Sequence, residues 1–145
     1  MIRKCTDNFS DALGEIQRGR ATSLGVRYEL TIDRDYVVLG MFIWETTLCF
    51  VVNGDHGRPV AVPAGLFAED SGSLPSDWYF ALGPGIRLSG PSLWERPLVA
   101  AWGYRELVEE QGHLDALLDG DDAACALFYR LLAGGSSDAP PASLF

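Results

Sequence analysis

The run VRYELTI (26–32), DRD (33–35), YVVLGMFIW (36–44), ET (45–46), TLCFVV (47–52), NGDHGR (53–58) and PVAV (59–62) decides the fold. Four apolar stretches, rich in β-branched and aromatic residues, are separated by short polar connections. That is the pattern of a meandering antiparallel sheet. In 26–32, Val26, Tyr28, Leu30 and Ile32 alternate with Arg27, Glu29 and Thr31, which predicts a strand with one wet face. The stretch 36–44 is almost continuously apolar and predicts a strand covered on both faces or at the centre of a curled sheet, with Gly40 marking a bulge or bend. Strands over 47–53 and 58–63 follow, joined by Asn53-Gly54 and His56-Gly57 turn chemistry.

Working outward, residues 6–18 carry apolar residues at Phe9, Ala12, Leu13 and Ile16 behind Thr6, which predicts an N-terminal helix. After Pro63, AGLFAED reads as one helical turn or a fifth short strand, and 78–82 as a further strand. Residues 98–102 read as one more strand or the lead into a helix. Tyr104, Leu107 and Val108 take helical spacing up to a stop at Gly112. The last helix opens on Asp121 and Asp122, where the helix dipole favours acid. Its apolar stripe is Ala124, Leu127, Phe128, Leu131 and Leu132, and Gly134-Gly135 closes it. Together these predict an α+β fold: a small, strongly bent antiparallel sheet with an N-terminal helix and C-terminal helices. An SH3-like barrel and an open sheet packed on helices are both compatible with this order.

The chain has 145 residues, 48% of them hydrophobic, with a net charge of −9. This length predicts one globular domain, over 1–135, with 136–145 as a disordered tail. Residues 1–34 carry six bases and five acids, so the negative charge belongs to the rest of the chain. Such a surface repels nucleic acid and anionic membranes and steers cationic partners inward. Cys5, Cys49 and Cys125 are far apart and form no CxxC, unlike a metal or disulfide framework. The first ten residues lack the apolar run of a signal peptide. No apolar run approaches the ~20 residues of a membrane helix. The cytoplasm is the expected compartment, and no cofactor is expected.

Few motifs carry chemistry. Asp55, His56 and Arg58 place an acid, a base and a cation on one turn, suited either to proton transfer on an anionic ligand or to a solvated hairpin. His113 lies among acids but without HExxH-type spacing, which favours a helix-junction histidine over a metal ligand. The glycines of 83–90 lack a following GK[ST], and their prolines remove phosphate-binding amides. Acid clustering is the most informative feature. Glu106, Glu109, Glu110, Asp115, Asp119, Asp121 and Asp122 follow one another with no Lys or Arg between them. Glu69, Asp70 and Asp77 form a second group. The alternatives are a solvated helix face and a docking surface for a cationic partner, the latter rimmed by Trp94 beside Glu95.

The order Tyr36-Val37-Val38, Leu48-Cys49-Phe50-Val51-Val52, Pro63-Ala64-Gly65-Leu66-Phe67 and Leu74-Pro75-Ser76-Asp77-Trp78-Tyr79-Phe80, then Leu117-Leu118-Asp119-Gly120-Asp121, resembles a group of small acidic bacterial proteins. These are similar to the immunity proteins encoded beside polymorphic (Rhs-type) toxins. The resemblance spans residues 26–132 and rests on core and turn signatures. It implies an antitoxin: a non-enzymatic toxin inhibitor whose partner is a cognate toxin, such as a basic nuclease domain. It brings no catalytic residues. A small-molecule binder or enzyme at Asp55, His56 and Arg58, and a secretion adaptor or chaperone, stand as alternative readings.

Overall fold

The strand β2 (Asp35–Trp44) is the centre of the computed structural model, which describes residues 1–14, 25–44, 47–69, 72–82, 99–110 and 112–134. Its sequence DYVVLGMFIW is nearly all β-branched, aromatic or otherwise apolar, which suits a pleated, covered position. Tyr36 and Val38 point into one core while Val37 stays exposed. The register with the next strand then shifts between Val38 and Gly40, the irregularity expected of a glycine within a strand. Beyond it Met41 and Phe42 are both buried, each in a different core.

On one side β2 pairs with β3 (Thr47–Asn53), which pairs with β4 (Pro59–Pro63). On the other lies β6 (Ala100–Gly103), which pairs with β5 (Tyr79–Leu82). The described strands form one six-stranded antiparallel sheet in the order β4-β3-β2-β6-β5, with β1 (Ile2–Lys4) on the first half of β2. After β4 a 3-10 turn (Ala64–Leu66) leads Phe67 back to a bridge with Cys5, just beyond β1. The pairings β1–β2–β3–β4 and Phe67–Cys5 thus return to their start.

The first core packs against these strands, and in it Cys5, Val38, Val52, Val62 and Leu66 are almost completely buried. The second core lies on the opposite face, between Phe42, Val51 and Ala101 of the sheet and the helices α1 (Arg105–Glu109), α2 (His113–Leu118) and α3 (Asp122–Leu132). Gly40 and Gly103 are register partners beneath α1. A Cβ on Gly40 would overlap Leu107, and one on Gly103 would come within 2.8 Å of the Gly40 backbone. The missing side chains let Leu107 rest on the sheet.

Two expected elements differ. Residues 26–32 do not form a strand: Arg27 makes one bridge to Phe9, and the Leu30 amide turns back to Tyr28 O at 2.8 Å. Side chains and loops take the groups a ladder would have used. Asn8 O accepts from Tyr28 N (2.8 Å), Asn8 Nδ2 donates to Leu30 O (2.9 Å), and Tyr36 Oη accepts from Thr31 N (2.7 Å). Nor do the described residues of 6–18 begin an α-helix. Asp7 Oδ1 accepts from the amides of Asn8 and Phe9, forming a local turn that competes with helix, and only a 3-10 turn (Ser10–Ala12) follows. Residues 15–18 lie outside the described residues, as does the tail 136–145.

Candidate functional site

The junction of the three helices builds one site. α1 leaves β6 through Tyr104 and runs for one turn, burying Leu107 and Val108 against the sheet. Glu110 ends it, and Gly112, in the left-handed region at φ 85°, redirects the chain into α2. Gly120 makes the same reversal into α3, where Asp121 is the N-cap and its Oδ2 accepts from Ala124 N at 3.0 Å. The Asp121 amide donates to Ala116 O (2.9 Å), holding α3 to α2.

Between these elements lies a cavity of about 370 Å³. Its polar walls are Glu106, Glu110, His113 and Asp121; its apolar walls are Ala116, Ala123, Ala124 and Leu127. His113 is 8% exposed, and its Nε2 is hydrogen-bonded to the buried hydroxyl of Tyr104 at 2.7 Å. Burial pushes the His113 pKa down, against the opposing pull of the Glu110, Glu106 and Asp121 carboxylates. The imidazole is therefore neutral at neutral pH. Burial, helped by Glu106, holds the Tyr104 phenol above its ordinary range, so it keeps its proton.

The structure sorts the acids. Glu106 is no surface acid: it is 8% exposed, with Oε1 buried and, among the described residues, without a hydrogen-bond partner. Its Oε2 lies 3.8 Å from Arg105 Nη2, beyond hydrogen-bond length. Glu109, Glu110, Asp119, Asp121 and Asp122 are exposed on the helical layer, and Asp115 is half-buried. Of the acids singled out in sequence, the cavity gathers Glu106, Glu110 and Asp121; Glu109, Asp115 and Asp119 do not line it. Glu69 and Asp77 are exposed in segments beyond Phe67 and before β5. Asp70, Trp94 and Glu95 lie outside the described residues. Tyr104, read in sequence as one of a helical stripe with Leu107 and Val108, proves to be His113's partner.

The turn between β3 and β4 does not join Asp55, His56 and Arg58 into a triad. Asp55 accepts from Tyr36 Oη (2.5 Å), Thr31 Oγ1 (2.7 Å) and Arg34 Nη1 (3.0 Å). Although burial pushes its pKa up, the bonds from Tyr36 and Thr31 and the Arg34 charge outweigh that, and the net shift is downward. His56 Nδ1 and Arg58 Nε turn instead to Glu29. Tyr129 Oη in α3 donates to Gly57 O at 2.6 Å, fastening the turn to the last helix. Asp55 is thus tied to Arg34, while His56 and Arg58 both turn to Glu29. The unpredicted member is Glu29, which the alternating pattern had placed on a strand's wet face.

Among the described residues no group of His, Cys, Asp and Glu is arranged to hold a metal ion, and no helix is long and apolar enough to cross a membrane. No family model matches this chain, and neither a curated protein nor a solved structure matches it.

Proposed function

We propose that this chain is a cytoplasmic binding protein that docks a basic protein partner on its acidic helical layer, and that it serves as an immunity protein occluding the active site of a cognate toxin. One observation carries the reading: α1, α2 and α3 expose Glu109, Glu110, Asp119, Asp121 and Asp122 together, with no Lys or Arg from Glu106 to Asp122. Like charges crowded on one layer repel one another, and a cationic partner relieves that repulsion. A complementary field also speeds encounter and sets partner choice, as inhibition of a toxin requires. The two-sided core beneath supplies a rigid support. The closed circuit through β1–β4 and Phe67 we read as a small SH3-like barrel, with the helical layer on its outer face.

The test is a pull-down with the tagged full chain from cells expressing its neighbouring genes, followed by co-expression of the captured protein with and without this chain. The reading expects a basic protein, bound near one-to-one, whose toxicity the chain suppresses. An empty pull-down from cells shown to express those genes, or a captured protein whose toxicity is unaltered, contradicts it. The latter outcome points instead to a secretion adaptor.

A further inference from the structure

The Tyr104–His113 pair stands at a hinge. Gly112 turns the chain from α1 into α2 in the left-handed region, and His113 is the first residue of α2. At this corner His113 N donates to Glu110 O at 3.2 Å, and Ala116 N donates to Gly112 O at 3.0 Å. One turn further on, Leu117 is fully buried and keeps α2 seated on the second core. The imidazole also lines the cavity of about 370 Å³, so the ring has space to move into.

The bond to Tyr104 fits one protonation state of the ring. Among the described residues the Tyr104 hydroxyl has no other hydrogen-bond partner, so it donates to Nε2, and the neutral ring carries its proton on Nδ1. A proton added at Nε2 turns that acceptor into a donor. The hydroxyl must then accept, and its own hydrogen is left buried without an acceptor, an unfavourable state.

The charged ring is meanwhile drawn elsewhere. Glu110 and Glu106 face it from α1 and Asp121 from α3. Glu106 has Arg105 at 3.8 Å, which offsets its pull, whereas Glu110 and Asp121 line the cavity beside the ring. The Tyr104 phenol and the nearby Cys125 thiol are both held in their protonated, uncharged forms by burial. The strand β4, which also packs on α2, carries no titratable side chain.

We propose that Tyr104 and His113 form an acid-released latch. Protonation of Nε2 breaks the bond to Tyr104 and swings the imidazolium into the cavity toward Glu110 and Asp121. The first turn of α2 then rotates about Gly112, while the sheet and α3 stay folded. Histidine suits such a device because its charge changes near neutral pH. Burial holds the release below the ordinary histidine value.

The test follows the full chain by NMR from about pH 8 to 4, reading the His113 ring signal and backbone amide exchange corrected for its intrinsic pH dependence. As the ring titrates, the His113 and Ala116 amides should lose protection about tenfold or more. The amides of β3, and Cys125 N, which donates to Asp121 O, should keep theirs. His113→Gln, uncharged at every pH, should abolish the change. Two further variants should move the midpoint in opposite directions, each by about half a pH unit or more. Tyr104→Phe, which no longer donates to the neutral ring, moves it up. Glu110→Gln, which removes a carboxylate that favours the imidazolium, moves it down. Unchanged protection at His113 and Ala116 through the ring titration overturns the proposal. So does loss of protection there together with β3, the same transition in His113→Gln, or midpoint shifts that are absent or reversed.

Discussion

Tyr104 and His113 meet edge to face, ring planes 88° apart, with hydroxyl and Nε2 joined at 2.7 Å. The pair sits where β6 turns into the helical layer and links the second core to the acidic cavity. It packs a titratable ring beneath the surface while keeping that ring uncharged. The consequence is a pH dependence with a definite sign.

His113 titrates below its unfolded value, so the unfolded chain binds the proton first. The stability from keeping it neutral is fully present above about pH 6.5 and is lost as pH falls through the folded value. Asp55, also lowered, acts in a separate window: its contribution is present above the usual carboxylate range and lost as pH falls through its folded value. Thermal midpoints from about pH 8 down to 3 should separate the two. His113→Gln should flatten the upper part of the curve and Asp55→Asn the lower part. Identical curves for wild type and His113→Gln would contradict the assignment.

Tyr104→Phe keeps the ring and strips the hydroxyl from buried His113. Leaving that nitrogen unsatisfied costs about 1–3 kcal/mol. Urea unfolding should show the loss in the midpoint with the slope unchanged.

Gly40 and Gly103 hold α1 against the sheet. Gly40→Ala forces Leu107 aside and should cost about 1–3 kcal/mol by overpacking. Gly103→Ala should be worse, because φ of 146° disfavours any side chain there as well. Adding Leu107→Ala to Gly40→Ala should destabilise less than the sum of the two single changes. Simple additivity would show that the helix is not seated through this contact.

Much of this architecture was legible in the residues. β2, β3 and β4 begin and end within a residue of the apolar runs, because their turn residues and β-branched content act locally. Asp121 likewise announced its helix. Residues 26–32 misled because alternation reports only which side chains face inward. Two of their partners, Asn8 and Asp55, are distant in sequence and the third is the nearby Tyr36 side chain, and they bond the segment one group at a time. Asp7 similarly captured the amides that a helix needs. The cavity was illegible for another reason: in sequence Glu106 looks like Glu109, and only the meeting of three short helices buries one and exposes the other.

The turn at 53–58 offers a control. Tyr36→Phe and Asp55→Ala remove the two ends of one hydrogen bond and should couple by about 0.5–3 kcal/mol in a double-mutant cycle. His56→Ala, with its side chain largely exposed, should leave partner binding unchanged. Loss of binding in His56→Ala would move the interface to this turn.

The most direct measurement is the affinity of the full chain for its captured partner across a range of salt, comparing wild type with Glu109→Lys/Glu110→Lys/Asp119→Lys. The account predicts steep weakening of the wild-type complex with salt, and for the reversed variant at least about a tenfold loss at low salt with a flatter slope. Equal affinity and equal salt dependence in the two proteins would contradict docking on the acidic helical layer.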